Sequence, residues 1–193
     1  NQRQVGNIYK GTVQNVIPGM QAAFINIGTE LNAFLPFTEI ENPENFSNFS
    51  LDDDDVKQSK KITKKFDPAN DLKIGDDISV QIIKEAYGNK GPRITTAISL
   101  PGSLLVLVPN ADFIGISRKI NDKYEKRRLK RIVNEFKPKN FGLILRTIAY
   151  GKDQNILESD YNRLWSSWLE MENKMSQKAP GLLYEDYHTV DQV

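Results

Sequence analysis

At 193 residues with 39% hydrophobic side chains, the chain is long enough for one large or two small cores, and two small domains are expected. It has no cysteine, which excludes a disulfide framework and a thiolate metal site and points to a cytoplasmic setting; no apolar run reaches the ~18 residues that span a bilayer. Net charge is only +1, yet Arg118 to Lys152 carries 12 Lys or Arg against the three acids Asp122, Glu125 and Glu135. That concentration is either a solvated helix face or a phosphate-binding footprint. In chain order, NIYKGTVQNV (7–16), GMQAAFINIG (19–28), ELNAFLPF (30–37), DISVQIIKEA (77–86) and PRITTAIS (92–99) read as five short strands bounded by Gly, Pro and Asn turns, the pattern of a small closed barrel. Alternation puts Ala23, Ile25 and Ile27 on one face and Ala22, Phe24 and Asn26 on the other; after the turn, Ala33 and Leu35 share a face while Asn32, Phe34 and Pro36 share the opposite one. Two phenylalanines thus fall on the side that should be polar. Between the third and fourth strands, 41–76 runs from acidic to basic with few apolar residues and is expected to be a mobile surface excursion, its Asp52–Asp55 run a solvated loop more readily than a metal cluster.

A second region opens near Ser99. SLLVLVPN (103–110) is a continuous apolar run typical of a buried strand, NDKYEKRRLKRIVNEF (121–136) carries Leu129, Ile132, Val133 and Phe136 on a helical stripe, and FGLILRTIAY (141–150) reads as another buried strand. The basic helix has an N-cap candidate in Asn121 or Asp122 and a stop at Pro138. A further helix is predicted over 156–177, with Trp165 and Trp168 as core packing rather than a stacking box. The fold class is α+β: a barrel over 1–97 and a small α/β region with a C-terminal helix over 98–193. The start at Asn1, running straight into strand-like sequence, is what a stretch of a longer protein would show.

Catalytic equipment is sparse. One histidine, His188, cannot supply a two-histidine ribonuclease mechanism or a histidine metal cluster, and no phosphate-binding loop of the Walker type occurs. No pair of acids falls at the ends of convincing buried strands with helpers nearby, as a metal-dependent hydrolase requires.

Seven motifs then accumulate: NIYKGTV, PGMQAAFINIG, NAFLP, GNKGPRITTAISLPG, LLVLVPN, GISRKI and FGLILRTIAYGK, in this order and spacing. Together they resemble the amino-terminal half of the bacterial ribonuclease E/G family, over nearly the whole chain. The resemblance implies a five-stranded OB-fold barrel of the S1 type, followed by the 5′-sensor region of an RNase H-like subdomain, in an endoribonuclease of rRNA processing and mRNA decay. It further implies single-stranded RNA with a 5′-monophosphate as partner and a homo-oligomeric parent. Magnesium-binding carboxylates and zinc-linking cysteines are implied further along the family chain, so this stretch is expected to hold no metal and to be inactive alone. Competing classes are a stand-alone, non-catalytic S1-type RNA-binding module and a protein-interaction fragment.

The same resemblance makes Phe24 and Phe34 a base-stacking platform, since every base offers a π-face. From the residues alone, coverage by a barrel end or by the second domain is the alternative. Lys90, at the tip of the GNKG hairpin, matches a family RNA contact; glycines on both sides would let it approach a phosphate, although an ordinary turn lysine looks the same. Arg146 lies among apolar neighbours and needs a partner, for which spacing alone favours an internal salt bridge. In the family, Arg146 and Thr147 match the pair that grips the 5′-monophosphate, Gly102 and Val106 match positions shaping that pocket, and Arg118 matches a supporting arginine.

Overall fold

The computed structural model describes residues 3–41, 49–51 and 66–186. Strand β1 (Ile8–Ile17) pairs antiparallel with β2 (Ala22–Asn26), and β2 with β3 (Ala33–Pro36), which a short turn of helix, α1 (Thr38–Glu41), follows. After β4 (Phe49–Leu51) and the helical turn α2 (Pro68–Asp71) come β5 (Asp77–Lys84) and β6 (Arg93–Thr95). Pairing runs β1–β2–β3–β6–β5 and returns from β5 to β1, so five strands close a barrel. The two-residue alternation decides its interior. Ala23, Ile25, Ala33 and Leu35 are fully buried with Val13, Val80, Ile82 and Ile94.

The second sheet is ordered β4–β9–β10–β8–β7, from β7 (Leu100–Pro101), β8 (Leu105–Pro109), β9 (Phe113–Ser117) and β10 (Phe141–Leu145). Between β9 and the parallel β10 runs α3 (Lys123–Asn134), and α4 (Gln154–Lys174) follows. Of the two N-cap candidates Asp122 is the cap, its carboxylate accepting from the Tyr124 and Glu125 N–H groups. Trp165 and Trp168 pack edge-on against Phe141 at centroid distances of 5.0 and 5.5 Å, as core side chains do.

The chain forms two compact units. One holds β1–β3, α1, α2, β5, β6 and a last strand, β11 (Gly181–Tyr184); the other holds β4, β7–β10, α3 and α4 through Leu169. The sequence reading carries the second region unbroken from 98 to 193, whereas the chain from Glu170 onward groups with the barrel. The reason is an open edge: β2 pairs with β1 only from Thr12 onward, and β11 takes the vacant stretch Ile8–Lys10.

Three local expectations are corrected. FGLILRTIAY is not one ten-residue strand: β10 ends at Leu145, and Thr147–Ala149 is a turn of 3-10 helix. The 41–76 stretch is not all surface excursion, since Phe49–Leu51 covers the edge of β9 and Pro68–Asp71 is capped by Asp67. The remainder of its centre, with Asp52–Asp55, lies outside the described residues, as does His188. Finally, β9 escaped the sequence reading because FIGIS is short and carries a mid-strand glycine.

Candidate nucleic-acid interface and anion site

Phe24 and Phe34 stand directly opposite each other across β2 and β3, on the barrel's outer face, with ring centroids 5.8 Å apart and planes at 59°. Both are half-buried and neither belongs to the core cluster of the opposite face. Core burial is therefore not their role in the barrel. They line an open groove of about 1110 Å³ together with Lys90, Met20 and Tyr87. Two backbone hydrogen bonds, Tyr87 N–H to Lys90 O at 3.0 Å and Lys90 N–H to Tyr87 O at 2.9 Å, hold the hairpin that presents Lys90. One expected detail differs: Gly91 serves the backbone, because a Cβ there would sit 1.9 Å from the Asn32 carbonyl oxygen. Tyr87, 85% exposed at the hairpin tip, was missed, although an aromatic next to GNKG was a signal in plain view. The groove's acid, Glu85, is turned onto backbone donors, accepting from the N–H groups of Gln4 and Val5 at 2.7 and 2.9 Å.

The second candidate site lies at the end of β10. Past Leu145 the backbone stays extended at Arg146, whose guanidinium donates to the Gly102 carbonyl at 2.8 Å and, more distantly, to that of Ser103 at 3.5 Å. The internal salt bridge favoured by spacing is absent: among the described residues no carboxylate pairs with Arg146. Thr147 Oγ1 shares a hydrogen bond of 2.8 Å with Ser117 Oγ, at the matching end of the parallel β9. Arg118 follows Ser117 and is exposed; Val106 is half-buried opposite Ile144 and Pro101. The structure thus joins Gly102, Arg146 and Thr147 directly, adds Ser117, and shows no bond from Val106 or Arg118 to them.

What shapes Gly102–Leu105 is Asp160 of α4. Its buried carboxylate accepts from the N–H groups of Ser103 (3.3 Å), Leu104 (2.9 Å) and Leu105 (3.0 Å) and pairs with Arg163. A side chain at 102 would collide with that carboxylate, a Cβ falling 2.6 Å from Asp160 Oδ2. Gly102 is needed for close packing, and its carbonyl is aimed at Arg146 as a result.

Behind Thr147, part of the basic segment is used internally. Glu125 pairs with Arg128 and accepts the Gly151 N–H at 2.5 Å, while Arg128 donates to the Lys152 carbonyl at 2.8 Å, so α3 pins the loop after Arg146. The Arg128 guanidinium, helped by the Gly151 N–H and opposed by burial, holds the Glu125 carboxyl below the ordinary glutamate range. With its folded pKa depressed, the pair stabilises above the unfolded value of about 4.3 and loses that contribution as pH falls through the folded value. Glu125→Gln is expected to lower the melting temperature at neutral pH and to shrink the difference from the parent as melts are repeated toward pH 3. A difference that stayed constant with pH would contradict this.

No helix among the described residues is long and apolar enough to cross a membrane. A family model described as the S1 RNA binding domain matches residues 2–96, and one described as the Ribonuclease E/G family matches residues 99–193. The chain is 38% identical over 190 residues to ribonuclease G of Escherichia coli (strain K12), covering 95% of this chain and 35% of that protein. It is 39% identical over 178 residues to ribonuclease G of Haemophilus influenzae, covering 91% and 35%, and 34% identical over 192 residues to ribonuclease E of Nostoc sp., covering 98% and 26%. It therefore spans about a third or less of these relatives' length.

Proposed function

Since this chain belongs to the ribonuclease E/G family, we propose that it is the RNA-binding and 5′-end-sensing part of an endoribonuclease that cleaves single-stranded RNA in the cytoplasm. The barrel groove holds the strand, and the end of β10 receives a 5′-monophosphate. The observation that carries this reading is Arg146, a half-buried guanidinium held by backbone carbonyls with no acid beside it among the described residues. Such a charge is held in place but not neutralised. A terminal phosphate brings between one and two negative charges and three acceptor oxygens, which the guanidinium and the Thr147 hydroxyl can meet with charge-assisted hydrogen bonds.

The family resemblance also leads to magnesium at the catalytic step, to structural zinc and to a homo-oligomeric full-length protein. The donor set here does not fit either metal: the chain has no cysteine, and among the described residues no group of three or more His, Asp or Glu is placed to hold an ion. No step is assigned to a metal. Cleavage is proposed to require residues that the longer relatives carry and this stretch does not.

The test compares one short labelled oligonucleotide bearing either a 5′-monophosphate or a 5′-hydroxyl, titrated into the parent and into Arg146→Ala at matched salt. The parent is expected to prefer the monophosphate by roughly 5- to 150-fold, the worth of about 1 to 3 kcal/mol for a satisfied charged hydrogen-bond site. The variant should bind both ends alike. Equal affinities in the parent would refute the sensor, and a preference that survives in Arg146→Ala would remove this residue from it.

A further inference from the structure

The pairing register places more than aromatics on the groove face. Phe24 on β2 is opposite Phe34 on β3, Phe34 is opposite Arg93 on the parallel β6, and Arg93 is opposite Lys84 on β5. Two aromatic rings and two cations therefore form one row across four adjacent strands, each about 4.8 Å from the next. All four line the same groove. Arg93 is 38% exposed at its side chain, and the carboxylate paired with it is that of Glu39, whose Oε1 lies 4.0 Å from Nη2, beyond hydrogen-bond range. Glu39 itself is buried at 1% exposure, with Oε2 accepting no hydrogen bond. At that distance the Glu39 carboxylate attracts the guanidinium without accepting its N–H groups. Lys84 is exposed and pairs with no acid among the described residues.

Resting on the reading of this groove as an RNA site, we infer that Arg93 and Lys84 form a phosphate track that continues the Phe24–Phe34 platform. Bases stack on the two rings, and the backbone phosphates that follow them lie on the two cations, so the strand crosses the barrel along the row. The ligand class is a single-stranded polynucleotide with at least one phosphate beyond the stacked bases. Glu39 is a positioning residue for Arg93. A groove that carried aromatics alone would bind free bases and nucleosides; the adjoining cations make chain length and ionic strength matter.

Salt dependence separates the two halves of the row, because a neutralised phosphate of a single strand contributes about 0.7 to the slope of log K against log salt, whereas stacking contributes none. A fluorescent oligouridylate is titrated by anisotropy at several salt concentrations into the parent, Lys84→Gln, Arg93→Gln and Arg93→Lys. Each glutamine variant is expected to lower the absolute slope by about 0.7, and the lysine variant to keep it. Phe24→Ala should weaken binding at every salt with an unchanged slope. Should Arg93→Gln fail to fold with Glu39 left alone, Glu39→Gln combined with Arg93→Gln removes the buried charge as well, and Lys84→Gln tests the exposed end regardless. Parental slopes in folded Lys84→Gln and in folded Arg93→Gln, alone or with Glu39→Gln, with Phe24→Ala weakened, would overturn the track and leave the RNA site standing. Unchanged binding in every variant would overturn both.

Discussion

Replacing Phe24 and Phe34 together by alanine is expected to lower affinity for single-stranded RNA by roughly 2 to 6 kcal/mol, about 1 to 3 for each stacked base, while the barrel stays folded. The reasoning is positional. Both rings stand on the outer face, whereas the core is made by Ala23, Ile25, Ala33 and Leu35 on the other face of the same two strands. The pair is half-buried and its rings meet at 5.8 Å, so some packing is lost too, of the order of 0.5 to 1.5 kcal/mol for the aromatic contact. Binding is thus expected to fall further than stability. Anisotropy titration and thermal melting of the same samples check both. An unfolded double variant would show the rings to be structural, and a folded one that binds as the parent does would end the platform reading.

Asp160→Ala is expected to be the most damaging single change outside the hydrophobic cores. Three backbone N–H groups, those of Ser103, Leu104 and Leu105, converge on this one carboxylate, and Arg163 pairs with it. Removing it leaves three backbone N–H groups without their acceptor, at about 1 to 3 kcal/mol for each one left buried and unpaired, whereas its partner Arg163 is half-exposed and adds little. For a unit of this size that lowers the melting temperature by roughly 10 °C or more. The damage is also expected to reach the proposed 5′-phosphate site, because the Gly102 carbonyl that holds Arg146 belongs to the same short loop. Asp160→Asn, which keeps one acceptor oxygen, should melt between parent and alanine variant and retain part of the preference for a 5′-monophosphate. Should Asp160→Ala melt with the parent and keep the full preference, Asp160 neither stabilises the loop nor positions Arg146.

The barrel's five strands and the polarity of their faces were legible in the residues. Alternation is a property of the backbone pleat, and each turn carries its own Gly, Pro or Asn, so Phe24 and Phe34 could be placed on the outer face without knowing any partner strand. The same locality made α3 readable, with its apolar stripe and its Asp122 cap. Motif order took the reading to a family and so to Lys90, Arg146 and Thr147, which no periodicity singles out. Tertiary structure decided what depends on partners distant in sequence. Arg93 and Lys84 joined the aromatic row only through the register of β3 with β6 and of β6 with β5, and a shift of one residue would have turned them to the other face. Strand β10 gives way to a turn although Ile148 and Ala149 resume the apolar pattern: the Arg146 N–H still bonds the Leu104 carbonyl in the register of β8, and the Ala149 N–H then closes a 3-10 turn onto the Arg146 carbonyl. Asp160 and β11 were hidden for the same reason. Each satisfies backbone hydrogen bonds left open more than fifty residues earlier, Asp160 at Ser103 and β11 at Ile8, and such a demand exists only once the sheet has formed.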